Sequence, residues 1–167
     1  MKRIDQLVDA VELLKSEGKI VNLVIVGQNV DYPDFENKIN ASPVYNNIWL
    51  YGPCFDELKN AELLYNSNVL VSPGNVGLSC IHSLSYGTPV VTNDNFCTQM
   101  PEHGAIIEGV TGSFFKENDI ADLACKIWEW SSKSYLDRIK VRNNARLTIE
   151  QSWSVDYQIN LLKSIFK

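Results

Sequence analysis

Several features are missing from this sequence, and each absence removes a class of function. The four cysteines, Cys54, Cys80, Cys97 and Cys125, form no C-x-x-C pair and no histidine stands at zinc-ligand spacing from them. A metal site is therefore not expected, and the cysteines read as reduced thiols, with Cys80 and Cys125 each in an apolar helix suited to burial. No apolar run approaches the roughly 18 residues of a membrane span. The first residues, MKRIDQLVDA, lack the apolar core of a signal peptide. Basic runs are missing too: 15 Lys and Arg are outnumbered by 20 Asp and Glu, for a net charge of -5, which argues against a nucleic-acid partner. There is no internal repeat, low-complexity tract or linker. These absences leave a soluble, cytoplasmic chain as the expectation, with attachment to the cytoplasmic face of a membrane left open.

What is present fits one domain. A chain of 167 residues with 45% hydrophobic content can bury one good core and is too short for two. Ile4, Leu7, Val8, Val11 and Leu14 recur at helical spacing, and Gly18 follows as a C-cap, so residues 4–17 are predicted helical. VNLVIVG (21–27) is a β-branched run closed by glycine, the pattern of a parallel strand buried on both faces. The alternation continues with helix 34–39 behind Pro33, strand 46–52, helix 56–65 capped by Asp56, strand 68–73, helix 79–86 and strand 89–94. Residues 95–113 are looser, with Gly104, Gly109 and Gly112 breaking the pattern. Phe114 and Phe115 are expected in a last short strand, before helices from Asp119 to Trp130, 135–149 and 153–166. Strands separated by single helices predict a doubly wound, Rossmann-like α/β sheet built from right-handed crossovers. The first element is a helix with no strand ahead of it, which is the expectation for a fragment of a longer protein lacking its first strand.

The stretch SPGNVGLSCIHSLSYGTPVV (72–91) lies where such folds bind ligands, at the carboxyl end of a strand leading into a helix. Gly74, Asn75, Val76 and Gly77 allow close backbone approach. The first amides of the helix, on Leu78, Ser79 and Cys80, are expected to be free and to suit an anion such as a diphosphate. Taken alone, a glycine-rich turn is equally compatible with a simple tight turn. The second turn, Tyr86-Gly87-Thr88-Pro89, reads as a left-handed glycine cap followed by proline at a strand start.

Other motifs occur in one order: Lys2-Arg3-x-Asp5-x-Leu7-x-x-Ala10, Val26-Gly27, Tyr51-Gly52, Ser72-Pro73, Gly77-Leu78-Ser79 and Gly87-Thr88-Pro89-Val90-Val91. Thr111-Gly112, Asp119-x-x-x-Leu123-Ala124 and Ser152-Trp153 complete the set. Together they resemble the C-terminal, nucleotide-sugar-binding half of glycosyltransferase family 4 (group 1), retaining enzymes of the two-domain GT-B type. The resemblance covers nearly all of 1–167. It implies a single donor-binding domain whose N-terminal partner domain, in the same parent polypeptide, holds a glycan or lipid-linked acceptor, in the setting of polysaccharide biosynthesis. It implies a nucleotide diphosphate sugar as donor, no cofactor and no metal. It assigns the donor diphosphate to the backbone of Gly77, Leu78 and Ser79 and to Lys2, and places the base near Tyr51 and Pro53.

The sequence departs from the family at its hallmark pair of glutamates eight positions apart, one for the donor sugar and one for the ribose. Here those positions are Gly74 and His82. A neutral imidazole both donates and accepts, so His82 can hold a ribose hydroxyl; the plainer reading is a polar residue on a half-exposed helix. Glycine cannot reach a sugar hydroxyl by side chain, which leaves the Gly74 amide or the Asn75 side chain as the donor-sugar candidates. Glu102 reads as a loop brace, His103 as solvated, Trp128, Trp130 and Trp153 as packing, and Asp56 and Asp94 as cap or turn residues. No catalytic base is identified. The competing functions are a non-catalytic binding or assembly module and an epimerase or phosphorylase of the same architecture.

Overall fold

The computed structural model describes residues 2–28 and 34–166; Pro33 lies outside them. Among the described residues there are five strands and seven helices, in the expected α/β order. They are α1 (Asp5–Ser16), β1 (Leu23–Val26), α2 (Phe35–Ala41), β2 (Ile48–Gly52), α3 (Glu57–Asn66), β3 (Leu70–Ser72), α4 (Ser79–Ser85), β4 (Val90–Asn93), β5 (Gly112–Phe115), α5 (Ile120–Ser131), α6 (Tyr135–Ser152) and α7 (Val155–Ile165). Local chemistry explains most boundaries. Asp56 accepts from the amides of Leu58 and Lys59, Asp119 from that of Asp122, and Ser134 and Ser154 cap α6 and α7 in the same way. Gly87, at φ +77°, supplies the left-handed residue that ends α4.

All pairing is parallel, but the strands form two sheets. β1 pairs with β2, and β3, β4 and β5 pair in that order. α1 and α5 pack together on one side, and Leu7, Ala10 and Leu14 of α1 share a core with Val91, Phe115, Leu123 and Trp130. On the other side Cys80 and Leu84 of α4 meet Val90, Ala105, Ala145 and Ile149. Gly112 is required where β5 meets β4: a Cβ there would lie 2.0 Å from the Val90 carbonyl oxygen.

Three expectations need correction. β1 is not buried on both faces: Val24 and Val26 are 39% and 43% exposed, because among the described residues β1 has a strand neighbour on one edge only. Cys125 is exposed, since the core stripe of α5 runs through Leu123, Ala124, Ile127 and Trp130 and leaves position 125 on the solvent side. The loop 95–113 is more regular than its glycines suggest, with 3₁₀ turns at Phe96–Thr98 and Pro101–Ala105. The tryptophans pack as expected: Trp130 is buried with its Nε1 donating to Ser113 Oγ at 2.9 Å, and Trp153 lies against Gly104.

Candidate functional site

The glycine turn between β3 and α4 is held from three sides. β4 ends in two buried polar residues, Thr92 and Asn93. Thr92 Oγ1 donates to the carbonyls of Ser72 and Gly74, at 2.9 and 3.1 Å, and Asn93 Nδ2 donates to those of Pro73 and Gly74, at 2.8 and 3.2 Å. Gln99, on the loop after β4, accepts from the Val76 amide at 3.0 Å and donates to the Gly74 carbonyl at 3.2 Å. Asn75 Nδ2 donates to the Thr98 carbonyl at 2.8 Å. The third side is the start of the chain: the Gly74 amide donates to the Lys2 carbonyl at 3.0 Å, and Lys2 Nζ donates to the Asn75 carbonyl at 2.6 Å. Buried partners on the neighbouring strand thus fix a turn that has little side chain of its own, as a preorganised backbone site requires.

The amides that lead into α4 are those of Gly77, Leu78 and Ser79. No hydrogen-bond acceptor among the described residues takes them, whereas the Cys80 amide, expected to be free, donates to the Gly77 carbonyl at 3.0 Å. Gly77 adopts φ +53°, the left-handed conformation that turns successive N–H groups toward one side, the arrangement of an anion-binding nest. Ser79 and Leu78 are exposed, and Ser79 Oγ closes the turn on the Val76 carbonyl. Desolvation beside the turn pushes the Lys2 ammonium below its ordinary pKa. Arg3, next in sequence, is committed elsewhere, to Glu117 at 3.0 Å and Asn118 Oδ1 at 2.7 Å.

His82 is exposed, one turn into α4, on the same cleft as Ser79. Gly74 is buried, with both its amide and its carbonyl bonded inside the fold. Tyr51, half-buried on β2, packs edge-on against Trp49 with centroids 5.0 Å apart. His103 is not simply solvated: its ring stacks on Phe96 at 5.0 Å, and its Nδ1 lies 2.8 Å from the Met100 carbonyl. Glu102 sits on the Pro101–Ala105 turn with one buried carboxylate oxygen unpartnered, and Asp94 braces a turn by accepting from the Glu117 amide. Burial, aided by the charge of Glu102, pushes the Cys80 thiol up to about 12, so it is an inert core group.

Sequence reasoning did not find Thr92, Asn93 and Gln99. They carry no periodic or motif signal, because their partners are 18 to 25 positions away. The only hint was polar character at the end of an otherwise apolar strand.

The family model described as "Glycosyl transferases group 1" matches residues 1–148. Among solved structures, the chain is similar to TarM from S. aureus, crystallised as a point mutant with fondaparinux, alpha-GlcNAc-glycerol and UDP. The TM-score is 0.80 and the identity 23%, covering 99% of this chain and 33% of that one. Anabaena HepE in complex with UDP gives a TM-score of 0.75 at 16% identity, over 98% and 45% of the two chains. The catalytic domain of cholesterol-alpha-glucosyltransferase from Helicobacter pylori gives 0.68 at 19%, over 90% and 91%. The chain therefore spans about a third of the length of TarM and under half that of HepE. A search of curated protein sequences gives no match. A parallel α/β fold with a glycine turn opening α4, and a family model matching most of its length, identify this chain as a member of the group 1 glycosyl transferases, with the Rossmann-like fold of GT-B enzymes.

Proposed function

We propose that this chain is the donor-binding part of a retaining glycosyltransferase, and that it holds a nucleotide diphosphate sugar with its diphosphate on the turn from Gly74 to Ser79. The observation that carries this reading is the set of three unpartnered amides on Gly77, Leu78 and Ser79 beside the Lys2 ammonium. In the reaction the bond between the sugar's anomeric carbon and the diphosphate breaks, the diphosphate leaves with the electron pair, an acceptor hydroxyl oxygen bonds to that carbon on the same face, and the hydroxyl proton passes to an oxygen of the departing diphosphate. These amides and Lys2 face the charge that grows on the leaving diphosphate, the task a metal ion serves elsewhere. No side chain around the turn is placed as a general base. The acceptor, a glycan or lipid-linked sugar, belongs to a further domain, so this chain alone binds donor without turnover.

His82 is assigned to the ribose and Tyr51 to the base. At the donor-sugar position Gly74 offers neither a free amide nor a side chain, and the Asn75 amide nitrogen is engaged with Thr98. This specific arrangement favours a second reading, a module that binds a nucleotide diphosphate and transfers nothing. Calorimetric titration with UDP, GDP and their sugars tests binding: saturation by a nucleoside diphosphate supports both readings, and no heat at millimolar ligand rejects both. Turnover by the complete parent protein then separates them.

A further inference from the structure

Positive charge gathers at the amino ends of β3 and β4, the opposite end of these strands from the glycine turn. Between residues 133 and 146 the sequence places five bases, Lys133, Arg138, Lys140, Arg142 and Arg146, against one acid, Asp137, in a chain whose net charge is -5. That acid is engaged locally: Oδ1 lies 3.8 Å from Lys140 Nζ, and Oδ2 accepts from Ser134 Oγ at 2.6 Å. Arg146 faces Glu150 at 3.7 Å. Lys133, Arg138 and Arg142 pair with no carboxylate among the described residues, and all three line one pocket.

The fold holds these cations in place. Asn68 precedes β3, Gly87 and Pro89 precede β4, and the end of α5 delivers Trp130 and then Lys133. Arg138 and Arg142 are four residues apart on α6 and so share one side of it. Lys133 Nζ lies 4.3 Å from the centroid of the Trp130 ring, and Arg142 Cζ lies 4.3 Å from that of Tyr65. Arg142 Nη2 donates to the Tyr65 carbonyl. Its other terminal nitrogen, Nη1, is buried with no hydrogen-bond partner among the described residues. A buried guanidinium N–H without an acceptor carries its full desolvation cost, and three cations gathered without an acid repel one another. An oxyanion in the pocket answers both, because it supplies acceptors to the planar fork and charge to all three side chains.

We propose that this pocket binds a phosphate group, with one oxygen accepting from Arg142 Nη1 and the remaining charge met by Arg138 and Lys133. The enclosed space is about 10 Å³, room for a single oxygen, and the rest opens to solvent. The group is therefore a terminal phosphate whose substituent projects outward, and no nucleoside is enclosed. No residue of the glycine turn lines the pocket, so it fills independently of any donor there. α6 opens with Tyr135 and Leu136, 76% and 68% exposed, so a lipid headgroup and a free phosphate are the two sources the test separates.

The test titrates the isotope-labelled chain with inorganic phosphate at constant ionic strength. The side-chain resonances of Arg142 and Asn68 are expected to shift saturably, with half-saturation at about 1–5 mM. Lys133→Gln and Arg138→Gln should each raise that concentration at least about fivefold while the circular dichroism spectrum stays unchanged. Neither side chain makes a hydrogen bond or ion pair within the described fold, so both variants are expected to fold. A second arm sediments the chain with phosphatidylcholine vesicles containing about one-fifth phosphatidic acid. Co-sedimentation that the same two substitutions abolish assigns the pocket to a lipid headgroup; phosphate binding without co-sedimentation assigns it to a free phosphate. Unmoved Arg142 and Asn68 resonances at about 50 mM phosphate, or shifts that neither substitution weakens, would overturn the proposal.

Discussion

β4 and β1 both grow out of β-branched runs, PVVTN and LVIVG, yet they live in different surroundings. All four residues of β4 are buried, and its last two, Thr92 and Asn93, spend their polar atoms on the glycine turn. β1 alternates between half-buried and exposed, carries no such bonds, and borders an open cleft. The difference is one of neighbours: β4 lies between β3 and β5 under helices on both sides, while among the described residues β1 has only β2. A β-branched run therefore specifies a strand, and its burial is supplied by whatever pairs along its edges.

The strongest way to break this contrast is at the closest contact in the three-stranded sheet. Gly112→Ala places a methyl 2.0 Å from the Val90 carbonyl oxygen and 2.9 Å from Ile106 Cγ2. A loss of more than about 4 kcal/mol is expected, seen as failure to fold or collapse of the thermal transition. Gln99→Ala acts on the turn itself. It strands the Val76 amide, which Gln99 alone accepts, at a cost of about 1–3 kcal/mol in denaturant unfolding, and UDP affinity should fall with it. On the other sheet Trp49→Ala, at a residue 56% exposed, removes an edge-on ring pair with Tyr51 and should cost only about 1 kcal/mol. A smaller cost for Gln99→Ala than for Trp49→Ala, with UDP affinity unchanged in the former, would erase the distinction between a braced half and an open one.

Much of the fold was legible in the sequence because its determinants are local. Asp56, Asp119, Gly18 and Gly87 act within a few residues of themselves, and the apolar stripes of α1 and α5 repeat at the helical period. Of the candidate site, the geometry of the turn was legible in part: it follows from Gly77 and the start of α4, and Lys2 bonds to that turn. The bracing by Thr92, Asn93 and Gln99 was not, since a hydrogen bond across 18 to 25 positions leaves no period to read. Nor was the splitting of the sheet, which depends on pairing rather than on strand composition.

Smaller effects sharpen the same comparison. Lys2→Ala should weaken UDP binding about tenfold through loss of a charge-assisted bond, while the fold, which uses the Lys2 carbonyl, stays intact by circular dichroism. Another effect is alkaline. The Cys80 thiol, raised from an ordinary value near 9.0 to about 12, favours the protonated native state. Its contribution is complete below about pH 9 and is lost as pH rises toward about 12, so Cys80→Ala should flatten the fall in stability across that window. Thiol reagents should modify exposed Cys97 and Cys125 and spare Cys80 in the native protein.

The turn's role can be read directly from backbone amide resonances of the labelled chain during titration with UDP and, separately, with inorganic pyrophosphate. Both ligands should shift the amides of Gly77, Leu78 and Ser79 first and furthest, and Lys2→Ala should reduce the response without moving it elsewhere. Saturating shifts confined to other segments, with those three amides unmoved, would contradict the proposal that the diphosphate sits on this turn.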